Sequence, residues 1–141
     1  MNHDDERYLG RAIEIAAKAR AGGDAPFGSL LVDRDGRVLR EAHNTVLRDR
    51  DITAHPELKL AKWAAHELPK DVAAGCTLYT SCQPCGMCTG AIDRSGIGRV
   101  VYALSSEQLI RLKPSGDFPK VPQEGPALFE AARVPVEGYY R

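Results

Sequence analysis

His55-Pro56-Glu57 and Pro84-Cys85-Gly86-Met87-Cys88 are the residues of this 141-residue chain whose types and order could do chemistry. One imidazole and two thiolates make a three-ligand set for Zn²⁺. Three protein ligands leave the fourth tetrahedral position open, the arrangement of a catalytic zinc rather than a closed structural one. A carboxylate two residues from the histidine, Glu57, supplies the proton-transfer group that such a site needs. Zinc held this way lowers the pKa of water toward neutrality, so the chemistry expected is hydrolytic.

The elements that must position these groups can be read from the same residues. Proline suits the first helical position and pushes the residue before it into an extended conformation. His55 is therefore expected at a helix cap, with Glu57 in the first turn, so that ring and carboxylate converge. Pro84 is expected to start a second helix, with Cys85 and Cys88 at i, i+3 on one face. A helix N-terminus favours the thiolate that binds metal. The rival is a four-cysteine zinc or iron–sulfur site using Cys76, Cys82, Cys85 and Cys88. Against it, Cys76 opens the strand-like run 76–80 and reads as a small buried hydrophobe. Cys82 reads as a loop or core residue, and His3, His43 and His66 as surface or hydrogen-bonded histidines.

The remainder of the chain reads as alternating elements. Helices are expected over 5–21, from Pro56 to about Leu68, and over 85–94 and 105–112, with a further helical stretch at 127–133. Strands are expected over 27–32, 37–42, 77–81 and 99–103, the first two joined by a turn at Asp33-Arg34-Asp35-Gly36. Residues 43–54 read as a polar connection, and 114–126, rich in Pro and Gly, resist assignment. A hairpin followed by alternating helices and strands predicts an α/β fold: a three-layer α/β/α sandwich around a mixed sheet of four to five strands, in one domain spanning 1–141.

Composition narrows the function. Hydrophobic residues make 43% and charged residues 27% of the chain, and the formal net charge is zero. The absence of a basic excess or a Lys/Arg-rich run counts against a nucleic-acid partner. The polar, acidic start Met1-Asn2-His3-Asp4-Asp5-Glu6 does not read as a secretory signal, and no apolar run reaches membrane-spanning length. A cytoplasmic protein without membrane partners is the expectation.

His-x-Glu followed by Pro-Cys-x-x-Cys resembles the cytidine deaminase-like superfamily, the pattern of zinc-dependent nucleobase deaminases. The similarity extends over roughly residues 5–112. It implies one Zn²⁺ per chain on His55, Cys85 and Cys88, with Glu57 as the catalytic proton shuttle, and a fifth strand. Pro26-Phe27-Gly28 resembles the family's first-strand motif, whose backbone lines the pocket. Asn44 matches an asparagine that contacts the base or its sugar, although a turn role is the alternative. Thr80-Ser81 resembles a segment whose backbone touches substrate. The resemblance therefore gives Phe27, Gly28, Asn44 and Ser81 as substrate-binding candidates.

Thr53-Ala54-His55 is similar to bacterial purine deaminases, and Ser105-Ser106-Glu107-Gln108-Leu109 to guanine deaminase-like proteins. Cys88-Thr89-Gly90-Ala91-Ile92 is similar to fungal-type cytosine deaminase. These resemblances imply a hydrolase that deaminates a free nucleobase or nucleoside and releases ammonia, with a purine favoured. Cytosine or cytidine is the alternative. A tRNA adenosine deaminase is less favoured, and a structural metal-binding module least. Pro56, Gln83 and the pair Asp93-Arg94 depart from the family pattern. Family members complete their pockets with a neighbouring subunit, so a homodimer is expected, with Trp63, Asp93 and Arg94 as candidate contacts.

Overall fold

The computed structural model describes residues 1–113 and 121–140. The chain opens on α1 (His3–Ala21), two residues earlier than periodicity predicts. The cause is a capping box: Asn2 accepts from the Asp5 N–H, while the Asp5 carboxylate accepts from the Asn2 N–H. Leu9, Ala12, Ile15, Ala16 and Ala19 form its buried stripe. Strand β1 (Gly28–Val32) is buried at all five positions, and β2 (Val38–His43) returns along the sheet edge. There follow α2 (Val46–Asp49), α3 (Pro56–Glu67), α4 (Lys70–Ala74), β3 (Thr77–Cys82), α5 (Gly86–Ser95), β4 (Arg99–Leu104), α6 (Ser106–Leu112) and α7 (Phe129–Arg133).

The sheet has the order β2-β1-β3-β4. β1 runs antiparallel to both β2 and β3, and β3 and β4 are parallel, with Tyr79 opposite Val101. A parallel pair needs a crossover connection, and α5 supplies it. Side chains alternate across β1, so its two faces feed two cores. Leu31 joins Leu60, Ala61, Ala64, Leu78 and Ile92 under α3 and α5. Leu30 and Val32 join Leu9, Ala12, Ile15, Tyr79 and Val101 under α1. This is the three-layer α/β/α sandwich expected. Four strands lie among the described residues, and the fifth that the resemblance implied is not among them.

One polar network ties the layers together. Asp5 is buried, and its carboxylate accepts from the Tyr79 hydroxyl at 2.6 Å and from the Arg99 guanidinium at 2.9 and 2.7 Å. The Arg99 and Tyr79 hydrogen bonds hold the Asp5 carboxyl well below the usual carboxylate range. Directly before Arg99, a Cβ on Gly98 would collide with the Ala74 carbonyl, so the approach of α4 to the start of β4 requires glycine. No helix among the described residues is long and apolar enough to cross a membrane. Every residue from 121 to 140 is exposed.

Candidate metal centre and active site

The N-terminal ends of α3 and α5 are built alike. His55 is the N-cap of α3 with extended backbone (φ −84°, ψ 144°), and Pro56 is the first helical residue. Cys85 is the N-cap of α5, also extended (φ −71°, ψ 173°). This corrects the expectation for the second helix. Pro84 stands before the cap rather than at the first helical position, and the helix begins at Gly86. Cys85 therefore reaches the site from outside the helix, as His55 does, and Cys88 from its first turn.

The caps bring three donors together. The His55 Nδ1 lies 3.7 Å from Cys85 Sγ and 3.4 Å from Cys88 Sγ. All three donor atoms fall within 4.8 Å of one another, and among the described residues this is the set of His, Cys, Asp or Glu that could hold a metal. A tetrahedral zinc with its usual bond lengths would separate a nitrogen and a sulfur ligand by roughly 3.5 Å, so the spacing fits. Burial lowers the His55 pKa and favours the neutral imidazole that coordinates. Burial raises the Cys88 thiol pKa, and the charges of Glu57 and Cys85 add to the effect. Two sulfurs and a carboxylate crowded into one buried corner are stabilised by a divalent cation, which deprotonates thiols outright. His55, Cys85 and Cys88 are thus positioned to bind zinc.

Cys76 and Cys82 stand outside the set. Cys76 is buried where β3 begins, and its thiol donates to the Val72 carbonyl at 3.3 Å. The half-buried Cys82 ends β3, its pKa raised by burial and by the Glu57 charge. The four-cysteine alternative has no geometric support. His3 and His66 are exposed, and His43 Nε2 lies 3.4 Å from Asp24.

Glu57 is buried in the first turn of α3, at 6% exposure. Desolvation pushes its carboxyl up to about 7, while its own N–H and the Thr80 hydroxyl pull the other way. At the N-terminus of α3, Pro56 has no N–H to satisfy and the Lys59 N–H donates to the His55 carbonyl at 3.0 Å.

The four substrate-binding candidates are contiguous. The Asn44 N–H donates to the Phe27 carbonyl at 3.1 Å, and the Gly28 N–H donates to Ser81 Oγ at 3.1 Å. A Cβ on Gly28 would sit 2.7 Å from the Ala16 nitrogen, so β1 can enter here only as glycine. The Thr45 N–H donates to the Ala54 carbonyl, which joins the Asn44 loop to the residue before His55. Asn44 also plays a turn role, because its Oδ1 accepts from the Val46 N–H at 2.9 Å.

Sequence reasoning missed Thr80 as the neighbour of Glu57 and missed Lys59, whose ammonium donates to the His43 carbonyl and to Thr45 Oγ1. A lysine within a helix carries no spacing signal that would have found it. Gln83, a departure from the family pattern, accepts from the Ser106 N–H at 2.9 Å and so satisfies one end of α6. Trp63, on α3, packs against the core with the Arg40 guanidinium 5.4 Å from its ring centre, and Asp93 and Arg94 are exposed.

Comparison with known proteins agrees with this geometry. Residues 2–104 match the family described as the cytidine and deoxycytidylate deaminase zinc-binding region. The probable cytosine deaminase of Schizosaccharomyces pombe is 39% identical over 141 residues, covering 97% of this chain and 83% of that one. The tRNA-specific adenosine deaminase of Haemophilus influenzae is 37% identical over 101 residues, 72% of this chain and 58% of that one. The X-ray structure of guanine deaminase from Bacillus subtilis superposes with a TM-score of 0.72 at 31% identity, covering 96% of this chain and 92% of that chain. With the zinc donors, the buried glutamate and the sandwich in their expected places, the chain belongs to the cytidine and deoxycytidylate deaminase zinc-binding family, a family of hydrolases acting on C–N bonds.

Proposed function

We propose that this protein hydrolyses the exocyclic amine of a free nucleobase or nucleoside, with a purine of the guanine type preferred. The whole reaction would be carried by one domain, residues 1–141. The observation that carries the reading is the convergence of His55, Cys85 and Cys88 beside a buried Glu57. Zinc, when bound, supplies a Lewis acid that activates water and draws the neighbouring carboxyl toward its ionised form. Glu57 takes a proton from water and returns protons to the ring nitrogen and the departing amine. A C–O bond forms at the amino-bearing carbon, the C–N bond breaks, and ammonia leaves. Burial raises the Glu57 carboxyl above its ordinary value, which favours proton return, and a bound cation would favour the ionised form that takes the first proton.

Asn44 would meet the base edge with its amide, and the backbone at Phe27, Gly28 and Ser81 would form the adjoining wall. The purine preference draws on the guanine deaminase superposition, which extends over nearly the whole chain. Zero net charge argues against a polyanion, whose binding rests on Lys/Arg–phosphate contacts. Cytosine is the second reading, because a probable cytosine deaminase aligns along 97% of the chain. Comparing kcat/KM for guanine, adenine, their nucleosides, cytosine, cytidine and tRNA tests the preference. A cytosine value tenfold above every purine value, about 1.4 kcal/mol of transition-state preference, would reverse it.

A homodimer in the cytoplasm completes the proposal. Exposed Phe129, Val134, Tyr139 and Tyr140 give the C-terminal segment an apolar surface of the kind that contacts a partner, and the four free thiols suit a reducing compartment. Sedimentation finding a fully active monomer would reject the dimer.

A further inference from the structure

We propose that Lys59 is a positioning residue for Asn44, its ammonium clamping both flanks of that residue so that the Asn44 amide faces the substrate. The proposal rests on the reading that Asn44 contacts the base. Lys59 is half-buried on α3, two residues beyond Glu57. Its Nζ donates to the His43 carbonyl at 2.9 Å and to Thr45 Oγ1 at 2.6 Å, the residues immediately before and after Asn44. The Thr45 hydroxyl donates to Asp49 Oδ2 at 2.6 Å, which leaves its oxygen lone pairs to accept from the lysine.

Between these two anchors, Asn44 is itself held by the bonds from its N–H to Phe27 and from Val46 to its Oδ1. Its Nδ2 makes none of these bonds. Among the described residues no fully buried side-chain nitrogen or oxygen lacks a partner, so Nδ2, without a protein partner, is not sealed in the interior although Asn44 is only 5% exposed. A backbone amide must be the donor to Oδ1, which fixes the amide orientation and makes Nδ2 the outward group. Lys59 sits on the same rigid helix as His55 and Glu57, and it is the side chain that ties this helix to the loop carrying Asn44. The clamp therefore sets the position of a base-recognition group relative to the reacting centre.

The test compares KM, kcat and zinc content for Asn44→Ala, Lys59→Met, Lys59→Arg and the double variant Asn44→Ala/Lys59→Met, using the fastest base of the panel above. Lys59→Met keeps the aliphatic stem and removes the donors. Its expected effect is a KM about tenfold higher, the scale of a charged hydrogen bond, with kcat and zinc close to wild type. Lys59→Arg should recover part of the loss. The double variant should bind no worse than Asn44→Ala alone, because the clamp has nothing left to position. If Asn44→Ala raises KM while Lys59→Met does not, or if the two effects multiply in the double variant, the clamp is wrong and the Asn44 reading survives. If Asn44→Ala leaves KM unchanged, the base-contact reading itself fails. Should Lys59→Met not fold, Thr45→Val removes one of the two anchors and leaves the His43 bond; a smaller rise in KM is expected there, and a wild-type KM overturns a clamp that needs both flanks.

Discussion

Around His55 the metal-donor side chains are half-buried or buried, whereas from residue 121 to 140 every side chain faces solvent. The first region is tied together: the Thr45 N–H donates to the Ala54 carbonyl, the Lys59 ammonium to the His43 carbonyl and the Gly28 N–H to Ser81 Oγ. The second has sequence character but little packing of its own. The difference teaches where each property of the enzyme resides. Metal binding and proton transfer depend on the packed sandwich. The exposed segment makes no contribution to the two buried cores.

The sharpest break in this comparison is at the metal. Cys88→Ala should abolish zinc binding and turnover together, while Cys76→Ala should keep both. Metal analysis showing equal zinc loss in the two would return the four-cysteine site to contention. Next comes Glu57→Gln, expected to keep zinc and fold but to lose about 10²–10⁴-fold in kcat, the scale of general acid–base catalysis. A variant with most of the wild-type rate would remove Glu57 from its role. Leu60→Ala, which hollows the core directly behind the α3 cap, should cost about 2–5 kcal/mol of stability by urea denaturation.

Asp5→Asn tests the polar tie on the opposite face. The folded carboxyl lies well below its ordinary value, so its contribution is complete above the unfolded pKa of about 3.9 and is lost as pH falls through the folded value. The variant should be less stable than wild type by about 1–3 kcal/mol at pH 7. That gap should narrow as the solution is taken below about pH 4. A gap that widens on acidification would contradict the assignment. The smallest effect is expected in the exposed segment. Val134→Ser should change stability by less than about 0.5 kcal/mol, yet weaken self-association if that segment holds the dimer. A large loss of stability would mean that the segment packs against its own body.

Much of this was legible because chemistry constrains spacing. Pro56 alone dictated an extended His55 and a first-turn Glu57, and the structure has both. Pro84 misled because proline is as acceptable just before a cap as just inside a helix, and Gly86 rather than Pro84 begins α5. The four- and five-residue helices α2 and α4 went unseen, since fewer than two turns cannot show a helical period. The first turn of α1 was shortened because its start depends on the reciprocal Asn2–Asp5 bonds, not on apolar spacing. Asn44 was read as either a turn residue or a base contact, and its Oδ1 makes the turn while its Nδ2 takes no part in it. Lys59 and Thr80 act through tertiary neighbours, which no linear pattern records.

The placement of His55 and Glu57 on either side of Pro56 has a corollary for redesign. The spacing between imidazole and carboxylate is written into three consecutive residues and one stiff ring, so no loop has to re-establish it. A change in the Asn44 connection or in the exposed C-terminal segment would leave that spacing as it is.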